Sequence, residues 1–468
     1  MKIWIEKCED EFNEDDEYIL FKLNNKNNKS TIKTNMEDLW RRFGVATITD
    51  INEDLLIIAL SVFGIDKRIP RNMFKDGWTR RFEVEIPVIE IEKWNLVRQE
   101  LENALGFLSG DVWRLHFRKT DKKFRGNKVS KYNIIKRRDF DCVSLFSGGL
   151  DSYSGAIKLL ENKQKICFVG FKEYGLLEKR QRKIFDILNS IYKDIEKEII
   201  LFNGTPYSPV NNMNQKINYG IESTSRSRSF LFLAGALAVA SLLDNIVPVY
   251  IPENGFIGLN VNLTMSRKGT CSTRTTHVYF INELNNILKK IGIKNRVENF
   301  YAYKSKGEIV NEIKETVAFK IGAKETISCS HPCLARYDKK TPPMNCGYCY
   351  PCLIRRASMN KINYYDEAYN DKYTVSKKFI DDYNKIDGKA SDLKAVLWSL
   401  NRYLNMKDKN EEVRSLVIKT GNLAKEDIEK FTQVYIKSME ELKELIKYEA
   451  KKNGMELLEY VGLKEEHE

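Results

Sequence analysis

Apolar and polar positions divide the chain into three stretches with different periods. Within residues 1–138, Arg81-Phe82-Glu83-Val84-Glu85-Ile86-Pro87 alternates at every second position, which predicts a strand with one buried face. Asp54 to Phe63 repeats instead at helical spacing, so an N-terminal α+β domain is predicted over 1–138. From Asp139 the pattern changes. Short apolar runs at Cys142–Phe146, Ile166–Gly170, Glu198–Phe202, Val247–Pro252 and Val297–Tyr303 alternate with helical stretches. That alternation predicts βαβ units, hence an α/β domain over 139–370 with a parallel sheet and helices on both faces. Beyond about residue 370 the strands give way to a charged, helix-rich C-terminal extension, 371–468. There Ile428, Phe431, Val434, Met439, Leu442 and Leu445 form an amphipathic stripe suited to packing or to a partner surface.

Composition narrows the class. The 468 residues are 42% hydrophobic and 30% charged, which excludes a disordered chain, a collagen and a small disulfide scaffold. The longest apolar run, Phe230 to Leu243, is too short to span ~30 Å of hydrocarbon and lies between Arg228 and Asp244. The amino terminus turns acidic by Glu9-Asp10-Glu11 and has no signal-peptide pattern, so no membrane and a cytoplasmic location are expected. Basic residues number 77 against 65 acidic, a net charge of +12, and Phe117 to Phe140 alone holds ten Lys or Arg against two Asp. Such a field attracts nucleic acid, nucleotides or acidic proteins. Nucleic acid at 117–140 is therefore a candidate partner, with a solvated basic linker as the plainer alternative.

Two constellations carry chemistry. In Val143-Ser144-Leu145-Phe146-Ser147-Gly148-Gly149-Leu150-Asp151-Ser152 an apolar strand runs into two glycines, and Asp-Ser then opens a helix. Glycine permits a tight turn and close backbone approach to a ligand, and the helix start that follows is a natural seat for phosphate. Ser147 and Ser152 can donate to the same oxygens. Asp151, expected to face solvent, would be repelled by polyphosphate unless it holds Mg²⁺ or caps the helix. The string is neither a Walker A loop nor a Rossmann fingerprint.

The second constellation holds five of the nine cysteines between Cys329 and Cys352. Cys346, Cys349 and Cys352, at two-residue gaps, form a thiolate clamp that one upstream ligand completes as a structural tetrahedral zinc site. Cys329, Cys333 and His331 are all in reach as that fourth ligand, and an iron–sulfur cluster would use the same thiolates.

The Ser147–Ser152 string resembles the signature of the PP-loop ATP pyrophosphatases, which cleave ATP between the α- and β-phosphates to adenylate a substrate oxygen. With Ser328-Cys329 and the later Cys-x-x-Cys-x-x-Cys, about residues 139–362 resemble the QueC-like 7-cyano-7-deazaguanine synthase family. The longer frame, with Glu253-Asn254-Gly255 and Ser272-Thr273-Arg274-Thr275-Thr276-His277, is most similar to the QatC-type branch found in anti-phage islands. The resemblance implies an adenine nucleotide α hydrolase-like fold with ATP, Mg²⁺ and Zn²⁺. It implies nucleotide contacts at Ser147, Gly148, Gly149, Leu150, Asp151 and Ser152, and catalytic roles for Asp151, Ser152 and Arg228. Substrate contacts are expected from Glu253, Asn254, Arg274, Thr275 and His277, and zinc ligation from Cys329, Cys346, Cys349 and Cys352. The activity implied is acyl-adenylate formation on a 7-deazaguanine carboxylate, then transfer to ammonia or to an amine of a partner protein from the same defence operon. A thiolation-type tRNA-modifying enzyme and a non-catalytic nucleotide-binding scaffold are the alternatives.

Overall fold

The computed structural model describes residues 1–7, 17–23, 30–44, 48–124, 134–222, 226–264, 274–366, 369–384 and 388–463. Parts of two expected features, the basic 117–140 stretch and the polar run through Ser272-Thr273, fall outside these residues. The strands are β1 (Lys2–Glu6), β2 (Ile19–Lys22), β3 (Ile32–Thr34), β4 (Arg81–Val88), β5 (Val112–Lys119), β6 (Cys142–Leu145), β7 (Ile166–Phe171), β8 (Lys197–Phe202), β9 (Gly204–Pro206), β10 (Val249–Tyr250) and β11 (Val297–Glu298).

Five of them form a sheet in the order β11-β10-β6-β7-β8, parallel at every pairing. The chain runs outward from β6 through β7 to β8, then returns to place β10 on the other side of β6. The connections leaving β6 and β10 therefore diverge, opening a crevice at the carboxyl ends of these strands where α/β sheets bind ligands. Side chains alternate between faces. Ile166, Phe168, Ile199 and Leu201 pack on the helices Leu150–Glu161 and Gly175–Ile191. Cys167, Val169, Ile200 and Phe202 pack on the other face, against the helix Arg228–Ala240. Both faces are covered, as all-parallel sheets require.

The N-terminal part mixes strands and helices as expected, and its four-stranded sheet, β2-β1-β4-β5, is itself parallel throughout. Its core is continuous with that of the five-stranded sheet. Helix Arg228–Ala240, buried on nearly every side, lies between the larger sheet and the equally buried helix Asp50–Arg68. This explains why Phe230–Leu243 has no polar face: it is a core helix. The strands β3 and β9 also pair antiparallel across the two parts, Ile32 opposite Pro206.

A buried ion network seals this seam. Arg80 binds Asp66 (2.5 Å) and Asp111 (2.6 Å), and Arg71 also binds Asp111 (2.6 Å). Asp66 Oδ2 accepts from Arg226 N (2.8 Å), Ser227 N (2.9 Å) and Ser227 Oγ (2.7 Å), capping helix Arg228–Ala240 from another part of the chain. The C-terminal helices build a further core around Phe431, Val434, Met439, Leu442 and Leu445, with Ile428 packed at its margin. The predicted stripe is thus internal packing.

Candidate active site and metal centre

The loop after β6 turns at Gly148, whose φ of +89° lies in the left-handed region that favours glycine. Ser147 Oγ and Ser152 Oγ are hydrogen-bonded at 3.0 Å, and Ser152 Oγ also donates to Gly149 O (3.0 Å). Gln181, fully buried, donates to Phe146 O (3.1 Å) and Phe171 O (3.3 Å), tying this turn to the end of β7. The other side is fixed from far along the chain. Ile327 N donates to Gly148 O (2.9 Å), and Leu150 N donates to Ser328 Oγ (3.2 Å). Gly155 lets the helix approach the β10 connection, since a Cβ there would stand 2.6 Å from Pro252.

Asp151 departs from its expected solvent-facing position: it is 7% exposed. Its Oδ2 pairs with Lys306 Nζ (2.9 Å) and accepts from Asn254 Nδ2 (3.0 Å). Its Oδ1 is buried as well. Burial disfavours the Asp151 charge, but Lys306 and the hydrogen bonds from Glu253 and Asn254 outweigh it and hold the carboxyl below its ordinary value. Burial and the adjacent Asp151 charge push Glu253 well above the usual carboxylate range, so Glu253 carries the proton. Asn254 orders the pair, donating also to Glu253 Oε1 (2.9 Å) while its Oδ1 accepts from Ile257 N (3.1 Å).

This cluster borders a cavity of about 240 Å³ at the strand ends. Ser147, Ser152, Glu173, Arg228, Glu253 and Thr276 supply polar lining, and Phe171, Phe232 and Ile251 supply apolar walls. Arg228, at the start of its helix, lines this cavity and is ion-paired with Glu173. Chemically, the cavity offers hydroxyl donors and a cation for an anionic ligand. Asp151 and Glu253 are adjoining carboxyl groups, and a Mg²⁺ ion held by both would have to displace the Glu253 proton.

The cysteine quartet is formed by Cys329, Cys346, Cys349 and Cys352, whose sulfurs all lie within 4.8 Å of one another. Cys329–Cys349 and Cys346–Cys352 separations of 3.9 and 4.0 Å match the ~3.8 Å edge of a tetrahedron with Zn–S bonds near 2.3 Å. Cys333 and His331 stand outside the group, so Cys329 completes it. Backbone amides of His331 (3.2 Å) and Cys346 (3.3 Å) donate to Cys329 Sγ, and that of Cys349 (3.4 Å) donates to Cys346 Sγ, bonds that favour thiolate. The quartet is held to the loop through one strap. Arg355, fully buried, donates to Thr326 O (2.9 Å) and Ala323 O (2.9 Å), and Asn345 Oδ1 accepts from Ser328 N (2.9 Å).

Two predicted substrate residues have other partners, and a third is buried. His277, 1% exposed, accepts from Tyr279 N through Nδ1 (3.2 Å), capping helix Val278–Lys290, and bonds Thr420 Oγ1 through Nε2 (3.1 Å). Burial and the nearby Arg274 charge push its pKa down to about 4. Arg274 stacks over Phe107, 4.9 Å from the ring centroid, and donates to Phe107 O (3.3 Å). Thr275 is fully buried beside them, while its neighbour Thr276 reaches the cavity. Lys306, Glu173 and Gln181 carry no local signal in the sequence, and Ser328 figures there only in the cysteine motif, with no contact to the loop expected.

No helix among the described residues is long and apolar enough to cross a membrane. No family model, curated protein or solved structure matches the chain, so its site is read from its own residues.

Proposed function

We propose that the cavity at the ends of β6 and β10 binds Mg-ATP and activates a carboxylate, of the 7-deazaguanine type, as an acyl-adenylate. The observation that carries the reading is the position of the Ser147–Ser152 loop at the point where the connections diverge, beside a buried Asp151–Glu253–Lys306 cluster. A substrate carboxylate oxygen attacks the α-phosphorus, the α–β bridging bond breaks, and pyrophosphate leaves with both bonding electrons. Charge then collects on the departing group, where Ser147, Ser152, the helix start and Arg228 stabilise it. Arg228 must release Glu173 to do so. Lys306 keeps Asp151 ionised, and Asp151 with Glu253 would hold Mg²⁺, which supplies charge neutralisation on the phosphates. In a second step a nitrogen nucleophile, ammonia or an amine on a partner protein of a defence operon, displaces AMP.

The thiolation alternative needs a reactive thiol at the nucleotide. Cys142 and Cys167 flank the loop in sequence, but both are buried, and burial pushes the Cys142 thiol up to about 12.

The test is incubation with Mg-ATP and 7-carboxy-7-deazaguanine, with ammonia or with the proteins encoded beside this one. AMP and pyrophosphate are measured together with the masses of products and proteins. AMP formation that depends on the deazaguanine carboxylate is expected; turnover independent of it, or none under any condition, overturns the reading. Zinc is separately checked by metal analysis, with zinc at parity with protein expected in the wild type and lost in Cys349→Ser. Retention of zinc in that variant would remove the quartet from the metal site.

A further inference from the structure

At the seam between the two parts of the chain, a second cavity of about 350 Å³ is lined by Lys22, Lys33 and Lys216 together with Tyr207. It shares no lining residue with the cavity at the strand ends. Its walls come from the segment around β2 and β3 and from the segment that follows β9. They are stitched together: Leu20 and Val210 exchange backbone bonds (2.8 and 3.1 Å), and Tyr207 N donates to Thr31 O (2.6 Å). The cavity is therefore built into the fold rather than left by a loose loop.

Its chemistry is lopsided. Ser30 and Thr31 commit their hydroxyls to the backbone, Ser30 Oγ donating to Ile32 O (2.7 Å) and Thr31 Oγ1 accepting from Lys22 N (2.8 Å). Lys22 is balanced by Glu6 at 3.0 Å. Lys33 and Lys216 are exposed, and neither has a carboxylate partner among the described residues. Behind them Arg68 donates to Pro206 O (2.8 and 2.6 Å), adding a further positive charge. Tyr207 is 44% exposed, with Lys33 Nζ 5.3 Å from its ring centroid. Unbalanced cations beside a half-exposed ring suit a ligand that carries phosphate and a flat ring in the same unit. An acidic peptide would use the lysines and leave the ring idle. Base stacking on an aromatic next to a cationic groove is how single strands are held without sequence preference.

We propose that this seam binds a nucleotide unit of a single-stranded polynucleotide, with the base on Tyr207 and the phosphate between Lys33 and Lys216. The inference does not rest on the proposed reaction, because its readout is binding and not turnover.

The test measures anisotropy of a fluorescein-labelled oligouridylate of about ten nucleotides with the full chain over a range of salt. Lys33→Glu/Lys216→Glu should weaken binding at least about tenfold and lower the slope of log affinity against log salt by about 0.7, the value for the one phosphate held between them. Tyr207→Ala should weaken binding by about five- to a hundredfold with the slope unchanged. Lys33→Gln/Lys216→Gln, which introduces no repulsion, should show the same loss of slope. All variants are compared by circular dichroism and melting, so a fold defect is seen directly. Binding that is unchanged in these variants overturns the proposal. So does an oligoglutamate peptide that competes as well as the oligonucleotide, or a free mononucleotide that displaces the strand at equal concentration of nucleotide units.

Discussion

Two buried ion clusters, each built from a pair of carboxylates and one or two cations, behave differently. At the seam, every oxygen of Asp66 and Asp111 meets a donor from Arg71, Arg80, Arg226 or Ser227. The network also caps a helix. At the strand ends, Lys306 is the cation beside Asp151, and Glu253 holds a proton that it shares with Asp151, because two buried anions cannot stand side by side. Completeness marks the seam cluster as architecture. The shared proton at the strand ends, beside a cavity that Glu253 lines, marks a pair whose charge a bound cation can change.

Arg80→Met would break the sealed cluster. It leaves Asp66 without its cation and should cost about 3–5 kcal/mol, read by chemical denaturation. AMP formation per folded molecule should stay at the wild-type level; its loss would show that the seam network belongs to the site.

A smaller effect is expected at His277, where the comparison can be made by pH. Its pKa is about 4 in the folded chain against 6.5 ordinarily, so the unfolded chain takes up a proton that the folded chain refuses. Stability is fully present above about 6.5 and falls as pH drops towards 4, by roughly 3 kcal/mol at ~1.4 per pKa unit. In His277→Asn this acid-sensitive component should vanish from melts across that window. If it persists, another group carries it.

The smallest stability change is expected from Glu253→Gln. A protonated Glu253 is already neutral in the fold, whereas the unfolded chain ionises it as pH rises. Its contribution to stability therefore declines with rising pH above the ordinary carboxylate value, and the variant should be at least as stable as wild type at neutral pH. AMP formation should nevertheless fall by on the order of a hundredfold, the scale of one lost electrostatic group in a preorganised site. Equal loss of stability would make Glu253 architecture as well.

What could be seen in the sequence follows from how local each feature is. The Ser147–Ser152 turn and the three clustered cysteines are contiguous, and the strands β6 to β8 fall within a residue or two of their apolar runs. The apolar run Val297–Tyr303 is longer than its strand, because Asn299 turns the chain by accepting from Tyr301 N (3.0 Å) and β11 stops at Glu298. Lys306 resembles any other lysine in Lys304-Ser305-Lys306 until the fold buries it against Asp151. Choosing Cys329 over Cys333 required the chain path between residues 329 and 346. Polar residues crowded beside glycines suggest a pocket, and the sequence does not show that His277 caps one helix while it and Arg274 stack on Phe107 of another.

The unbroken core beneath helix Arg228–Ala240 has a consequence for how this chain can be divided. A cut before Asp139 would strip away helix Asp50–Arg68 and leave a ridge of leucine, alanine and phenylalanine facing water, an aggregation-prone patch. The amino-terminal third is thus not an accessory that the larger sheet can shed. The two parts share one interior, so a change of side-chain volume on one side of it must be taken up by the other.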